Sequence, residues 1–240
     1  FISKVFAGAI FVPDEIPTIQ SALDIAVEGD TIFVSSGLYH ENIVWPAING
    51  IKLIGSGESN CIIDGTSIAS VIRFEEVVGL DSTTILDGFT IQNGYAQGVD
   101  PYNRGGGVYV NSYNSPSIQN LIIQNNLATV GGGIYINNAS PDMFQVIVSN
   151  NSASSGGGLA LYSSGNPRIT DMIITNNSAS SGGGIRVHDS SPILTGVVIS
   201  GNTAPSGGGG IQMWYSSPML SNVIINDNSS ENGGGLLLFY

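Results

Sequence analysis

From Gly105 onward the chain repeats one pattern of apolar and polar positions. After each glycine run come three residues whose first and third are aliphatic: VYV at 108–110, IYI at 134–136, LAL at 159–161, IRV at 185–187, IQM at 211–213 and LLL at 236–238. Alternation at period two predicts a strand with its ends turned inward and its middle residue outward. A second strand follows each of Pro116, Pro141, Pro167, Pro192 and Pro218, with Ile118, Met143, Ile169, Leu194 and Leu220 facing in. A third is LII, VIV, MII, VVI and VII, starting at Leu121, Val146, Met172, Val197 and Val223. Ten residues after each proline stands an asparagine (Asn126, Asn151, Asn177, Asn202, Asn228), and five residues later a glycine run begins. The spacing alternates between 25 and 26 residues, with one extra glycine, Gly210, as the only slip. A fixed period of this length means one unit stacked on copies of itself. Each strand then pairs with its equivalent one period later, so every sheet is parallel. The expected fold is an all-β parallel β-helix, a solenoid with three short strands per coil.

Upstream the pattern changes. After Pro17, apolar residues Ile19, Ala22, Leu23, Ala26 and Val27 follow helical spacing, and Gly29 ends the run. One short helix ahead of the strands suits the open end of a solenoid core. Thr31–Val34, Ile51–Ile54, Ile62–Ile63, Val71–Phe74 and Thr84–Ile91 read as strands of less regular coils. The pairs Asp64-Gly65 and Asp87-Gly88 read as turns. Residues 95–104 add a protruding loop. The chain divides into an apolar opening segment with cap helix (1–29), irregular coils (30–104) and regular coils (105–240), all within one continuous domain.

The corner columns have backbone reasons. Asn tolerates the left-handed conformation at a tight corner. Stacked once per coil, its amides form a ladder along the axis. The glycines supply unusual dihedrals and close approach at the opposite corner. Without a following Lys-Ser/Thr and helix they are not phosphate loops.

Composition narrows the partners. Six basic residues against eighteen acidic ones give a net charge of −12, which offers no footprint for nucleic acid or an anionic membrane. Residues 1–13 are apolar but too short to span a bilayer. They read either as a strand on their own solenoid or as a segment that packs on a neighbouring copy. Cys61 is the only cysteine, so the chain has no internal disulfide.

The stretch IPTIQSALDIAVEGDTIFVSSGLYHENI resembles the opening of many right-handed parallel β-helix proteins, pectin methylesterases included. In those a cap helix leads into a first strand and a G-x-Y-x-E-like turn. GGGIYI and GGGIRV, with FTIQN (89–93) and VIVSNN (146–151), are similar to the repeats of polymorphic outer-membrane proteins. The resemblance implies a right-handed β-helix over nearly the whole chain. That fold hosts lyases, hydrolases, esterases and adhesins alike.

Enzymes of this fold need clustered carboxylates or calcium ligands on adjacent coils. The columns do not supply them. The position of Asp171 is Asn120, Gln145, Gly196 and Asn222 elsewhere, and that of Arg186 is Tyr109, Tyr135, Ala160, Gln212 and Leu237. Arg168, Asp171, Arg186, His188 and Asp189 form one polar constellation, read as solubilising surface pairs. His188 has no second His or Cys nearby, so neither a metal nor another cofactor is expected. The repeat therefore reads as non-enzymatic.

Two columns suggest contacts instead. Ile122, Ile147, Ile173, Val198 and Ile224 form an outward aliphatic row that something should cover. The chain also ends inside a coil at GGGLLLFY, with Leu236 and Leu238 in its last strand. Together with Phe1, Ile2, Val5, Phe6, Ile10 and Phe11, these point to self-association, end to end or by strand exchange through residues 1–13. The second column, Tyr162, His188, Trp214 and Phe239, offers rings on which a glycan or partner would stack. The leading expectation is an extracellular or cell-surface structural β-helix that assembles with copies of itself. The alternative is a polysaccharide-binding or polysaccharide-cleaving protein, its site near Asp64, Asp87 and the 95–104 loop.

Overall fold

The computed structural model describes residues 7–75, 79–163 and 165–240. It is a parallel β-helix. Among these residues fourteen strands form a first sheet, eight a second and four a third, with every recorded strand pairing parallel. The helix Ile19–Ile25 is capped by Thr18, whose hydroxyl accepts from the Ser21 amide, and it buries Ile19, Ala22 and Leu23. The Glu41 carboxylate accepts from the Ile19 and Gln20 amides at 2.9 and 2.8 Å. The glutamate that ends the GLYHE stretch thus ties the helix start to the first coils.

The opening segment, as far as it is described, serves its own chain. Ala9–Val12 pairs in register with Thr31–Val34 as the first strand of the first sheet. Ile10 packs on the core and Phe11 stacks on Phe33 at 5.6 Å. Phe1, Ile2, Val5 and Phe6 lie outside the described residues.

The lumen is filled by aliphatic columns, as alternation requires. Val108, Ile134, Leu159, Ile185 and Ile211 form one, and Ile123, Val148, Ile174 and Ile199 another, none more than 1% exposed. Burying each such side chain stabilises by about 1.5–3 kcal/mol. The strands after each proline need one further device. Ile118 and Leu121 are both buried although three residues apart. Between them Asn120 has φ +50, and its counterparts Gln145 (+52), Asp171 (+51), Gly196 (+67) and Asn222 (+53) share that left-handed corner. The corner resets the alternation, so two strands run in tandem along one sheet. The third sheet comes instead from Leu127–Val130, Ser152–Ser155 and Ser178–Ser181, with Tyr95–Ala96 at its edge. The apolar pattern of the sequence marks no strand in these segments. Only one small residue of each, Ala128, Ala153 or Ala179, faces in.

The asparagine ladder is real, but for a different reason than left-handed backbone. Asn126, Asn151, Asn177 and Asn202 are buried, and each Nδ2 donates to the Oδ1 of the next at 2.9–3.0 Å. The same Oδ1 accepts the backbone N–H of the preceding ladder residue. The positive φ belongs to the residue before, at Asn125, Asn150, Asn176, Gly201 and Asp227, which turns the ladder side chain inward. The glycine register also needs correcting. Gly208 takes the +65° conformation matched by Gly182 and Gly233, so the inserted residue is Gly207 rather than Gly210.

Candidate functional site

The outward aliphatic row lies on the first sheet, two residues beyond the left-handed corner. Ile122, Ile147, Ile173, Val198 and Ile224 stand in register from coil to coil. Ile147 is 36% exposed and Ile173 41%, while Ile122 is half-buried. The row runs into a wall at its upstream end. There Thr90, the next residue of the column, donates its hydroxyl to the Glu58 carbonyl at 2.6 Å and is itself buried. That bond fixes the 56–60 connection over the sheet and leaves a cavity of about 340 Å³. Its floor is Ile122, Ile147 and Ile173, its lip is Asn120, Gln145 and Asp171, and Glu58 closes it.

The lip is oriented by the corner itself. A left-handed residue throws its side chain sideways from the strand, and the column places three polar ones in successive coils. Asp87 accepts from Gln119 Nε2 at 2.9 Å and from Asn120 Nδ2 at 2.8 Å, which orients that amide. The Asp171 carboxylate reaches over the next coil, where a side chain on Gly196 would collide with it. Phe144, 40% exposed, stands outward beside the lip in the column of Gln119 and Thr170.

The sequence had named the Ile row without its wall or lip. It placed Asp171 in a mixed column and in a solubilising surface constellation, named Gln145 only as a column counterpart, and passed over Glu58 and Phe144. A signal existed: the column Asn, Gln, Asp, Gly, Asn is what recurring left-handed backbone selects. No pattern announces that residues 56–60 fold back onto Thr90.

The polar constellation is dispersed. Arg168 pairs with Asp142 of the previous coil at 3.7 Å, and His188 Nδ1 lies 2.9 Å from Asp189. Arg186 is held on the second sheet by Ser181 at 2.6 Å and Gln212 at 2.8 Å. Asp64, Asp87 and the 95–104 loop do not meet either. Asp87 holds the Asn120 amide at the groove's lip without lining the cavity, whereas Asp64 pairs in register with Gln92, five residues further along the strand. Burial would push the Asp64 carboxyl up, but the Thr66 amide, Gln92, Asn93 and the charge of His40 hold it below the usual range. Among the described residues no three His, Cys, Asp or Glu side chains gather as a metal site.

The 95–104 loop serves the second sheet. The middle residues there point away from the lumen, as alternation requires, yet they are buried: Tyr109 2%, Tyr135 1% and Ala160 0% exposed. Arg73 lies 3.9 Å over the Tyr109 ring, and Tyr109 stacks on Tyr135 at 5.5 Å. Arg104, from the end of the loop, bonds the Tyr135 hydroxyl. Burial pushes the Tyr135 phenol up to about 12, against the opposing charge of Arg104.

The aromatic column is likewise occupied by itself. Tyr162 stacks on His188 at 5.6 Å with planes 13° apart, and Trp214 on Phe239 at 3.9 Å and 14°. Rings stacked along the axis spend their faces on one another and show solvent their edges. A sugar needs a free face, so this column is a poorer platform than its composition suggests. Leu236 and Leu238 occupy inward columns of the last coil, in register with Ile211 and Met213.

A search of the curated proteins finds no match. Among solved structures, the pectin methylesterase of Aspergillus niger is similar over 95% of this chain and 87% of its own, at 17% identity and a TM-score of 0.53. A pectin methylesterase in complex with a hexasaccharide matches over 98% of this chain and 94% of its own, at 10% identity and a TM-score of 0.50. At such identities the likeness concerns the fold. It still overturns the expectation that a β-helix of this form is non-enzymatic, because enzymes share the architecture across nearly the whole chain. Evenness of repeat is no argument against catalysis. The matches support the β-helix half of the sequence resemblance and leave the outer-membrane-protein half without support. The model for the right-handed β-helix region matches residues 42–230, and the chain belongs to that family.

Proposed function

We propose that this protein is a polysaccharide-active β-helix protein whose glycan lies in the groove of the first sheet. One observation carries the reading: a cavity with an aliphatic floor is bordered by two exposed acidic residues, Glu58 and Asp171. Apolar floor with a few oriented polar groups is what a ligand site requires. The floor and lip repeat once per coil, about 4.8 Å apart, which suits a polymer of repeating units. A carboxylate in such a groove can act as a general acid or base, and Glu58 and Asp171, at opposite ends of the three-isoleucine floor, would each meet a different position of the polymer. Asn120, Gln145 and the exposed Phe144 supply hydrogen bonds and a free ring face beside them.

The Ile row entered the sequence reading as a self-association strip. The wall at Glu58 and the polar lip favour its use as a floor instead. This reading places the working protein at its polymer, outside the cell or at the cell surface. The test is a turnover and binding screen over neutral, anionic and amine-bearing polysaccharides, with Glu58→Gln and Asp171→Asn alongside the parent. Loss of turnover in both variants, with the β-sheet spectrum and melting temperature kept, supports the assignment. Turnover unchanged in both, or no polymer bound, removes it.

A further inference from the structure

The groove's charge distribution names a ligand class, an inference that rests on the groove being the glycan site. We propose that it takes a glycan bearing protonated amines, a glucosamine-type chain, and excludes chains bearing carboxylates.

The cations of this protein are few, and the described ones are engaged or stand away from the groove. Of the six basic residues, Lys4 lies outside the described residues and five remain. Arg73 and Arg104 sit over the rings of Tyr109 and Tyr135 on the second sheet. Arg186 is bonded to Ser181 and Gln212 on that same sheet. Arg168 is on the first sheet but pairs with Asp142. Lys52 stands in the column of Ile85 and Ser117, away from the residues that line the cavity. The groove is therefore lined by two carboxylates and no cation.

Those carboxylates are also unspent. Asp87 has the amides of Gln119 and Asn120, and Asp64 those of Gln92 and Asn93. Among the described residues, Glu58 and Asp171 have no such side-chain partner, and both are exposed at the rim. A polyuronate entering here would bring like charge onto both, with nothing to neutralise it and a net charge of −12 behind it. An ammonium-bearing sugar would find an acceptor at each end of an aliphatic floor that fits the apolar face of its ring. The amide lip serves hydroxyls in either case, so the carboxylates set the discrimination.

The experiment compares three oligosaccharides of equal length by calorimetry at low and high salt, with a chelator present: a β-linked glucosamine chain, its fully N-acetylated counterpart and an oligogalacturonate. The expected result is binding of the amine chain about tenfold or more tighter than the acetylated one. That preference should shrink at high salt and vanish in the Glu58→Gln/Asp171→Asn double variant through weaker binding of the amine chain. Equal or weaker binding of the amine chain, or measurable binding of the galacturonate, overturns the charge assignment and leaves the glycan groove standing. If none of the three binds, both the class and the groove reading fall. A preference that survives in the double variant shows that other residues set it, and the assignment to Glu58 and Asp171 is then wrong.

Discussion

The first and second sheets carry outward columns written by the same repeat, yet they end in opposite states. On the second sheet Arg73, Tyr109, Tyr135, Ala160, Arg186 and Gln212 stand one coil apart, and rings and guanidinium groups pack on one another there. The loop up to Arg104 and Val130 of the third sheet complete the cover. On the first sheet Ile122, Ile147 and Ile173 have no such partner, and the 56–60 connection covers only Thr90 at one end. An outward column is thus a direction and not an exposure. Large rings bridge from coil to coil and close their own face, whereas β-branched aliphatic side chains leave a trough between the corner residues and the next turn.

The two faces should respond unequally to truncation. The largest effect concerns the closed face. Tyr135→Ala removes a buried ring and should cost about 3–5 kcal/mol in a denaturant titration, whereas Ile147→Ala on the groove floor should cost about 1 kcal/mol or less. Similar losses at the two sites would mean that the groove floor is packed within the chain, and the contrast would collapse. Next comes Trp214→Ala, which unstacks Phe239 and should cost about 2 kcal/mol, with glycan affinity unchanged. A loss of affinity without a loss of stability would return the aromatic column to the candidate sites.

Alkaline unfolding tests the same face. The Tyr135 phenol titrates near 10.0 when exposed and at about 12 here. Because the folded state holds the proton more tightly, its contribution is complete below pH 10 and is lost as pH rises toward 12. The melting temperature should therefore drop over that window, and Tyr135→Phe should flatten the drop. The smallest stability effect belongs to the open face. Glu58→Gln and Asp171→Asn should stay within about 0.5 kcal/mol of the parent, while polysaccharide turnover falls by about 10²–10⁴. A large destabilisation in either would show that the carboxylate holds the fold rather than serving a ligand.

Much of the coil was legible because it obeys local rules. Ile134 and Ile136 had to face in, Gly131 had to permit φ +69, and Asn151 had to join an amide ladder along the axis. The fold follows from stacking such units, and the helix was marked by Ile19, Ala22 and Leu23. What escaped had a longer reach. The Ser152–Ser155 strand carries no apolar alternation, since a single small inward alanine is all the third sheet needs. The inserted glycine looked equivalent at either end of its run until inter-coil hydrogen bonds set Gly209 and Gly210 against Gly233 and Gly234.

The period, the parallel stacking and the inward columns can be read from the amino acids alone, because each is a property of one residue repeated in register, and the scarcity of cations is a matter of composition. Which outward column is closed and which is open came from long-range packing. That depended on Arg104 returning to Tyr135 across 31 residues and on Thr90 catching the Glu58 carbonyl across 32. Contacts between irregular segments and a regular stack leave no period to read, and here they set the groove.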